Sequence, residues 1–264
     1  PRLRGALSTA ILFAVALLFA FSAHQRNHAW RTQLAIWTDT LSKSSGKARP
    51  NYNVAKLLAE EGRLDEALAL NRKVIELNPA YASAWFNMAA IYHVRGRLDL
   101  AIELYRKAIE KYPWHFRAHN NLGFAYYTQG KLDEALEEFK TALRIKPTHL
   151  KARINMGYVF RDMGMEDKAL EEYSRVLEQD PDFALGHYAV GDILLRRGSA
   201  RDALGRFNRA MELDPNLPDA HLGAGKAYQA LGRPTQAARH YREALRINPG
   251  LAEADEGLME LYGR

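Results

Sequence analysis

FRAHNNLGFAYYTQGKLDEALEEFKTALRIKPTH, residues 116–149, is the stretch that decides the fold, because its landmarks recur along most of the chain at one fixed step. Gly130 belongs to the series Gly62, Gly96, Gly130, Gly164, Gly198 and Gly232, spaced by 34 residues without an insertion. Ala135 belongs to Ala67, Ala101, Ala135, Ala169, Ala203 and Ala237, and Pro147 to Pro79, Pro113, Pro147, Pro181, Pro215 and Pro249. Three series in one register specify an array of structural repeats.

The pattern resembles that of the tetratricopeptide family, whose repeat is a pair of antiparallel helices, A and B, with small residues at two packing positions, an aromatic in helix B and a closing proline. The resemblance covers residues 48–251 as six repeats: 48–81, 82–115, 116–149, 150–183, 184–217 and 218–251. It implies an all-α, right-handed superhelical solenoid of six helix pairs. Each feature also has its own physical reason. The glycine ends helix A by taking up a left-handed backbone that other residues resist. Asp65, Asp99, Asp133 and Asp167 follow three residues later, where a carboxylate is expected to cap free amides at the start of helix B. Position 8 of each repeat is small (Ala55, Ala89, Gly123, Gly157, Gly191, Gly225), as is the alanine series, so that the two backbones approach closely. Tyr105, Phe139, Tyr173, Phe207 and Tyr241 are expected to fill the space between repeats, with Asn71 in the corresponding place of the first.

A stacked array exposes an apolar face where stacking stops, so its ends need caps. Trp30, Leu34, Trp37 and Leu41 fall on one face of a helix, and residues 24–47 read as a membrane-proximal amphipathic capping helix. Residues 252–264 continue the register as one more helix A with an acidic outer face, a C-terminal cap.

GALSTAILFAVALLFAFSA, residues 5–23, carries no charge, and a helix of that length crosses the hydrocarbon core at about 1.5 Å per residue. It reads as a transmembrane helix within residues 1–23, the competing reading being a secretory signal peptide. Arg2 and Arg4 on one side balance Arg26 and Arg31 on the other, so charge alone does not orient it.

Of 37 basic and 31 acidic residues, six and one lie before residue 48, which leaves a body of 31 against 30 and a net charge of +6 concentrated at the front. A nearly neutral body attracts phosphate weakly, so nucleic acid is not expected as a partner. With no cysteine, thiol catalysis, disulfides and thiolate metal sites are excluded. His24 and His28, and His115 and His119, stand four apart without a third ligand in suitable spacing. His119, His187 and His221 share position 4 of their repeats, which points to packing. No phosphate loop or nucleophile elbow is present, and no catalytic residue, metal or cofactor is expected.

Positions 2, 5, 6, 9, 12 and 13 of each repeat are expected to line the concave surface. Position 6 gives Asn53, Asn87, Asn121 and Asn155, whose carboxamides offer a donor and an acceptor to the backbone of an extended peptide. Around them lie Arg49, Lys56, Arg117, Lys151 and Arg161, interleaved with aromatics that include Phe124, Tyr127 and Tyr158. This basic, aromatic groove implies an extended protein or peptide partner with acidic and apolar side chains. Repeats five and six present Leu185, Tyr188, Asp192, Leu195, Asp219 and Leu222 instead, a less basic surface.

Two functions follow. The first is a membrane-anchored adaptor, not an enzyme, that mediates protein–protein interaction through its groove, with self-association through an end of the array left open. The second rests on residues 24–62, which resemble the membrane junction of tetratricopeptide-bearing O-mannosyltransferase-like proteins. Arg26, Asn27, Trp30, Trp37, Thr38, Asp39, Thr40, Lys43, Ser44, Ala48 and Arg49 match that motif, with Ser45 in place of its proline. The resemblance implies periplasmic or lumenal repeats that hold acceptor protein for a membrane glycosyltransferase, of which this chain would be a non-catalytic region.

Overall fold

The computed structural model describes residues 32–263. The expected membrane helix at 5–23 and the motif residues Arg26, Asn27 and Trp30 lie outside that range. Among the described residues the chain is all helical: α1 Gln33–Lys43, α2 Ala48–Glu60, α3 Leu64–Leu77, α4 Ala82–Val94, α5 Leu98–Lys111, α6 Phe116–Thr128, α7 Leu132–Ile145, α8 Leu150–Asp162, α9 Glu166–Gln179, α10 Ala184–Arg196, α11 Ala200–Leu213, α12 Pro218–Ala230, α13 Pro234–Ile247 and α14 Ala252–Tyr262. From α2 onward the even helices are helices A and the odd ones helices B. None of these helices is long and apolar enough to cross a membrane. They fall into two compact units, one ending at Pro113 and the other beginning at Trp114.

Each helix A stops at the glycine of the 34-residue series, whose φ lies between 68° and 81°. At Gly130 the N–H reaches back to the Tyr127 carbonyl at 2.9 Å and the N–H of Lys131 to that of Tyr126 at 2.9 Å, which satisfies carbonyls that the helix end leaves open. The aspartates after the glycine do not cap helix B as expected. Residues 63, 97, 131 and 165 occupy the cap position and make no side-chain cap bond; the aspartates sit two positions past it, inside the first turn, where a carboxylate meets the positive end of the helix. Asp65 instead pairs with Arg95 at 2.8 Å and Asp167 with Arg197 at 2.7 Å, each linking one repeat to the next. Both carboxylates are largely exposed, so each pair contributes about 0–1 kcal/mol.

The cores are organised by the aromatic series. Tyr105, Phe139, Tyr173, Phe207 and Tyr241 are all at most 1% exposed. Each ring takes the room that a side chain at position 8 would need. A Cβ on Gly123 would stand 2.9 Å from Phe139, one on Gly191 2.7 Å from Phe207, and one on Gly225 2.5 Å from Tyr241. The first repeat departs from this: Asn71 is fully buried, its Nδ2 donates to the Ala67 carbonyl at 2.8 Å, and its Oδ1 has no partner.

A second recurring contact joins repeats. The residue at position 4 donates to the carbonyl six residues earlier, in the connection before its own repeat: Asn51 to Ser45 (2.8 Å), Trp85 to Pro79 (3.0 Å), Arg153 to Pro147 (3.2 Å), His187 to Pro181 (2.9 Å) and His221 to Pro215 (3.2 Å). With Nε2 donating, Nδ1 of the two histidines is left as acceptor, for Arg206 at 3.5 Å in one case and His240 at 3.4 Å in the other. His119 pairs through Nδ1 with Glu138 at 2.6 Å, and His115 caps α6 by accepting from the Ala118 N–H at 3.2 Å. These four histidines thus serve packing and capping, and no cluster suited to a metal occurs among the described residues, outside which His24 and His28 lie.

Helix α1 packs on α2 as a helix B packs on the next helix A. Its motif residues serve the helix itself. Thr38 and Thr40 donate to the Leu34 and Ile36 carbonyls at 2.8 and 2.9 Å, Ser44 donates to Thr40 at 2.7 Å, and Lys43 pairs with Asp39 at 2.7 Å.

Gly191, against the Phe207 ring, and Gly205, two residues before Phe207 in sequence, separate space from propensity. Gly191→Ala forces a methyl against the ring and is expected to cost about 1–3 kcal/mol. Gly205→Ala in α11 meets nothing within 4 Å and is expected to stabilise by about 0.5–1 kcal/mol. Thermal melts of the two variants, moving in opposite directions from the parent, check this.

Candidate peptide-binding face

Within each unit, successive helices A touch one another across the intervening helix B: α2 with α4 in the first, and α6, α8, α10, α12 and α14 in sequence in the second. Crowding on this side makes it the inner face, and the side chains that line it come from helices A.

In the first unit the expected site residues are dispersed. Arg49 and Lys56 are exposed, Asn53 and Asn87 half-buried, and Lys56 faces Glu60 at 3.7 Å. Tyr52 stacks at a tilt on Tyr81, ring centres 5.0 Å apart. Among the described residues no ion pair ties Arg49, Lys56 or Glu60 to another repeat.

The second unit does bring site residues together. Asn155 donates through Nδ2 to Asn120 Oδ1 at 3.1 Å, and Asn120 donates to Asn121 Oδ1 at 3.0 Å. The two ladder carboxamides are thus oriented through Asn120, a position-5 residue, and each has part of its bonding capacity taken up. A peptide would meet the remainder, held in a fixed direction. Arg117 and Lys151 are exposed, Arg117 lying over the Phe116 ring at 5.7 Å, and Phe124 is 40% exposed with its ring 6.1 Å from Tyr127.

Arg161 differs from the expectation of a free carboxylate fork. Its side chain is only 15% exposed and bonds Asp162 at 2.7 Å, Asp192 at 3.0 Å and the Tyr127 hydroxyl at 3.3 Å, while its guanidinium lies 5.1 Å from the centre of the Tyr158 ring. Tyr127 donates to Asp162 at 2.5 Å, and Arg196 adds a bond to Asp192 at 3.2 Å. Burial pulls the Arg161 pKa down, but its two carboxylates more than offset that and leave it raised. Burial likewise works to raise Asp162, and the hydrogen bonds from Arg161 and Tyr127 reverse it. Tyr127 is pushed up to about 12, first by burial and then by its bond to Asp162. The cation is neutralised within the face, so this stretch is polar and pre-organised rather than basic.

The register gives a signal by which this network can be found. Arg161 at position 12 meets Asp192 at position 9 of the next repeat, 31 residues on, and Gln229 meets Glu260 at 2.9 Å over the same separation. On α14, Glu253, Glu256 and Glu260 line a hollow with Lys226, Gln229 and Tyr241, Lys226 pairing with Glu253. The acidic side of the C-terminal helix therefore continues the helix-A face.

Removing Asp192 leaves Arg161 buried with one carboxylate fewer. Asp192→Ala is expected to cost about 1–3 kcal/mol, and much less in an Arg161→Met background, because the penalty comes from the stranded charge. Chemical denaturation of the two singles and the double closes that cycle.

Models of the tetratricopeptide repeat match residues 80–148 and 114–182, and 218–251, and a further model described as TPR repeat matches 55–94 and 191–232. No curated protein matches the sequence. Among solved structures, a chain of the APC/C hetero-tetramer Cut9–Hcn1 superposes with a TM-score of 0.77 at 18% identity, over 91% of this chain and 48% of that one, so this chain spans about half its length. PilW, a type IV pilus biogenesis factor, gives 0.68 at 23% identity over 80% and 98%, and PilF of Pseudomonas aeruginosa 0.66 at 21% over 81% and 97%. At these identities the likeness is one of fold. With repeat models tiling most of residues 55–251 over a structure of stacked helix pairs, the chain belongs to the tetratricopeptide repeat family.

Proposed function

We propose that this chain is a non-catalytic, membrane-anchored adaptor whose helix-A face holds an extended segment of a partner protein. The observation that carries the reading is the array Asn120–Asn121–Asn155 beside Tyr127–Asp162–Arg161–Asp192, in which polar groups on successive helices A are fixed in direction by one another. Such an array presents donors and acceptors without the ordering cost that free side chains would add on binding. Neighbouring helices stand roughly 8–10 Å apart, and an extended chain advances about 3.3 Å per residue, so successive carboxamides suit about every third peptide unit. Phe124, its ring partly exposed against Tyr127, supplies apolar contact.

Anchorage rests on the charge-free stretch 5–23, long enough to span the hydrocarbon core. The anchor would place the face near the membrane surface, where a partner is held locally. Residues 32–47 would join anchor to array.

Crosslinking and affinity capture from intact membranes, comparing the parent with Asn121→Ala/Asn155→Ala, tests the reading. A discrete partner is expected to be lost from the variant while its helicity and melting temperature stay close to those of the parent. Retention of the same partner in the same amount would remove the helix-A face as the holding surface. Release of the parent chain from membranes by alkaline carbonate would remove the anchor.

A further inference from the structure

A contact between position 4 of helix A and position 23 of helix B recurs in repeats three to six, each time across 19 residues. In repeats three and four it joins a basic side chain to an acid, His119 to Glu138 at 2.6 Å and Arg153 to Glu172 at 2.7 Å. Repeat four has a second acid beside the first, Glu171 at position 22. Arg175 at position 26 bonds Glu171 at 2.5 Å and Glu172 at 2.8 Å. None of these positions is among those that line the inner face.

Repeat five keeps the frame and inverts the charge. His187 stands at position 4 and Arg209 at position 26, but Gly205 and Arg206 replace the two glutamates, and Arg201 takes the place of Asp167. The recurring contact becomes Arg206 Nη1 to His187 Nδ1 at 3.5 Å, so no carboxylate enters it. Arg209, without the glutamates that Arg175 meets, bonds Asp182 at 2.6 Å and Glu212 at 3.2 Å instead.

A hollow of about 570 Å³ opens here between α10 and α11. Its α10 wall is His187 and Leu194. Its α11 wall is Gly205 with the helical neighbours Arg201, Asp202, Arg206 and Arg209. Gly205 leaves the centre clear, since a Cβ there would meet nothing within 4 Å. Arg201 and Arg206 are exposed, and among the described residues neither forms an ion pair, with Asp202 or with any other acid.

We propose that this hollow binds a glutamate or aspartate side chain of a partner protein, seated over Gly205 between Arg201 and Arg206. The pattern for it is internal. One repeat earlier the same frame holds two carboxylates between basic side chains at positions 4 and 26, and repeat five has the basic groups without the acids. Guanidinium groups fork a carboxylate in a fixed geometry, and Leu194 gives the methylenes of a glutamate an apolar wall. The hollow uses a different set of positions from the Asn ladder, so it is a second contact, independent of the helix-A face.

Two substitutions test whether the frame accepts a carboxylate. Gly205→Glu supplies one from within the chain, and Gly205→Gln supplies a side chain of the same length and similar helix propensity without the charge. Gly205→Glu is expected to melt above Gly205→Gln, by a margin that narrows at high salt and in an Arg201→Gln/Arg206→Gln background. Equal melting temperatures overturn the proposal.

Binding is measured on the full chain in detergent micelles by fluorescence anisotropy, with a fluorescein-labelled peptide of paired glutamates flanked by Gly–Ser. The peptide is expected to bind the parent and to lose about tenfold in affinity to Arg201→Gln/Arg206→Gln, which melts close to the parent, and to Gly205→Glu, which occupies the hollow itself. Arg117→Gln/Lys151→Gln, on the helix-A face, is expected to bind as the parent does. Loss of binding in that inner-face variant alone overturns the hollow and leaves the helix-A face standing. A parent that does not bind the peptide also overturns the hollow.

Discussion

Everything in this molecule depends on how closely helix A approaches helix B. That distance is set where position 8 faces the aromatic of the same repeat: an absent or minimal side chain on one helix makes the cavity that a Phe or Tyr ring from the other fills. Gly191 with Phe207 and Gly225 with Tyr241 show the fit, since in each case a methyl would enter the ring's own volume. Once that spacing is fixed, helices A of successive repeats crowd together, and side chains from different repeats come within bonding distance on the inner face. The face is thus a by-product of core packing, and its precision is inherited from the core.

Much of the core was readable in the sequence because glycine, alanine and aromatic residues act there through volume and backbone freedom, and both are properties of one residue in one register. The same register placed the turn at Gly130 and the small residue at Gly225, whereas Tyr241, expected between repeats, sits against Gly225 of its own repeat as well as Gly257 beyond it. Charges were less readable. Arg161 looked like a free cation because its partner Asp192 lies 31 residues away on another helix, and Asp65 looked like a cap because its partner Arg95 is 30 residues on. Whether a charge is free depends on what the next repeat puts opposite it, which a single repeat does not contain. Asn120 was passed over for a related reason, since its role is to orient Asn121 and Asn155 rather than to stand in line with them.

The inner face also changes character along the second unit. Its Asn carboxamides and the buried Arg161 pair are satisfied largely by their own neighbours, a condition that keeps a polar surface ordered in the absence of ligand. The Tyr173 hydroxyl, fully buried, has no such partner, and an unsatisfied buried group is costly.

The bond from position 4 to the carbonyl six residues earlier has a different kind of consequence. It spans the boundary between repeats, yet Asn, Trp, Arg and His all make it, because all that is required is a donor of sufficient reach. The joint thus constrains length strictly and chemistry loosely. Whole repeats can be copied or dropped without redesigning a junction, whereas a single residue added between the closing proline and position 4 would break one. The seam thus tolerates change in the donor's identity far better than change in the number of residues that reach it.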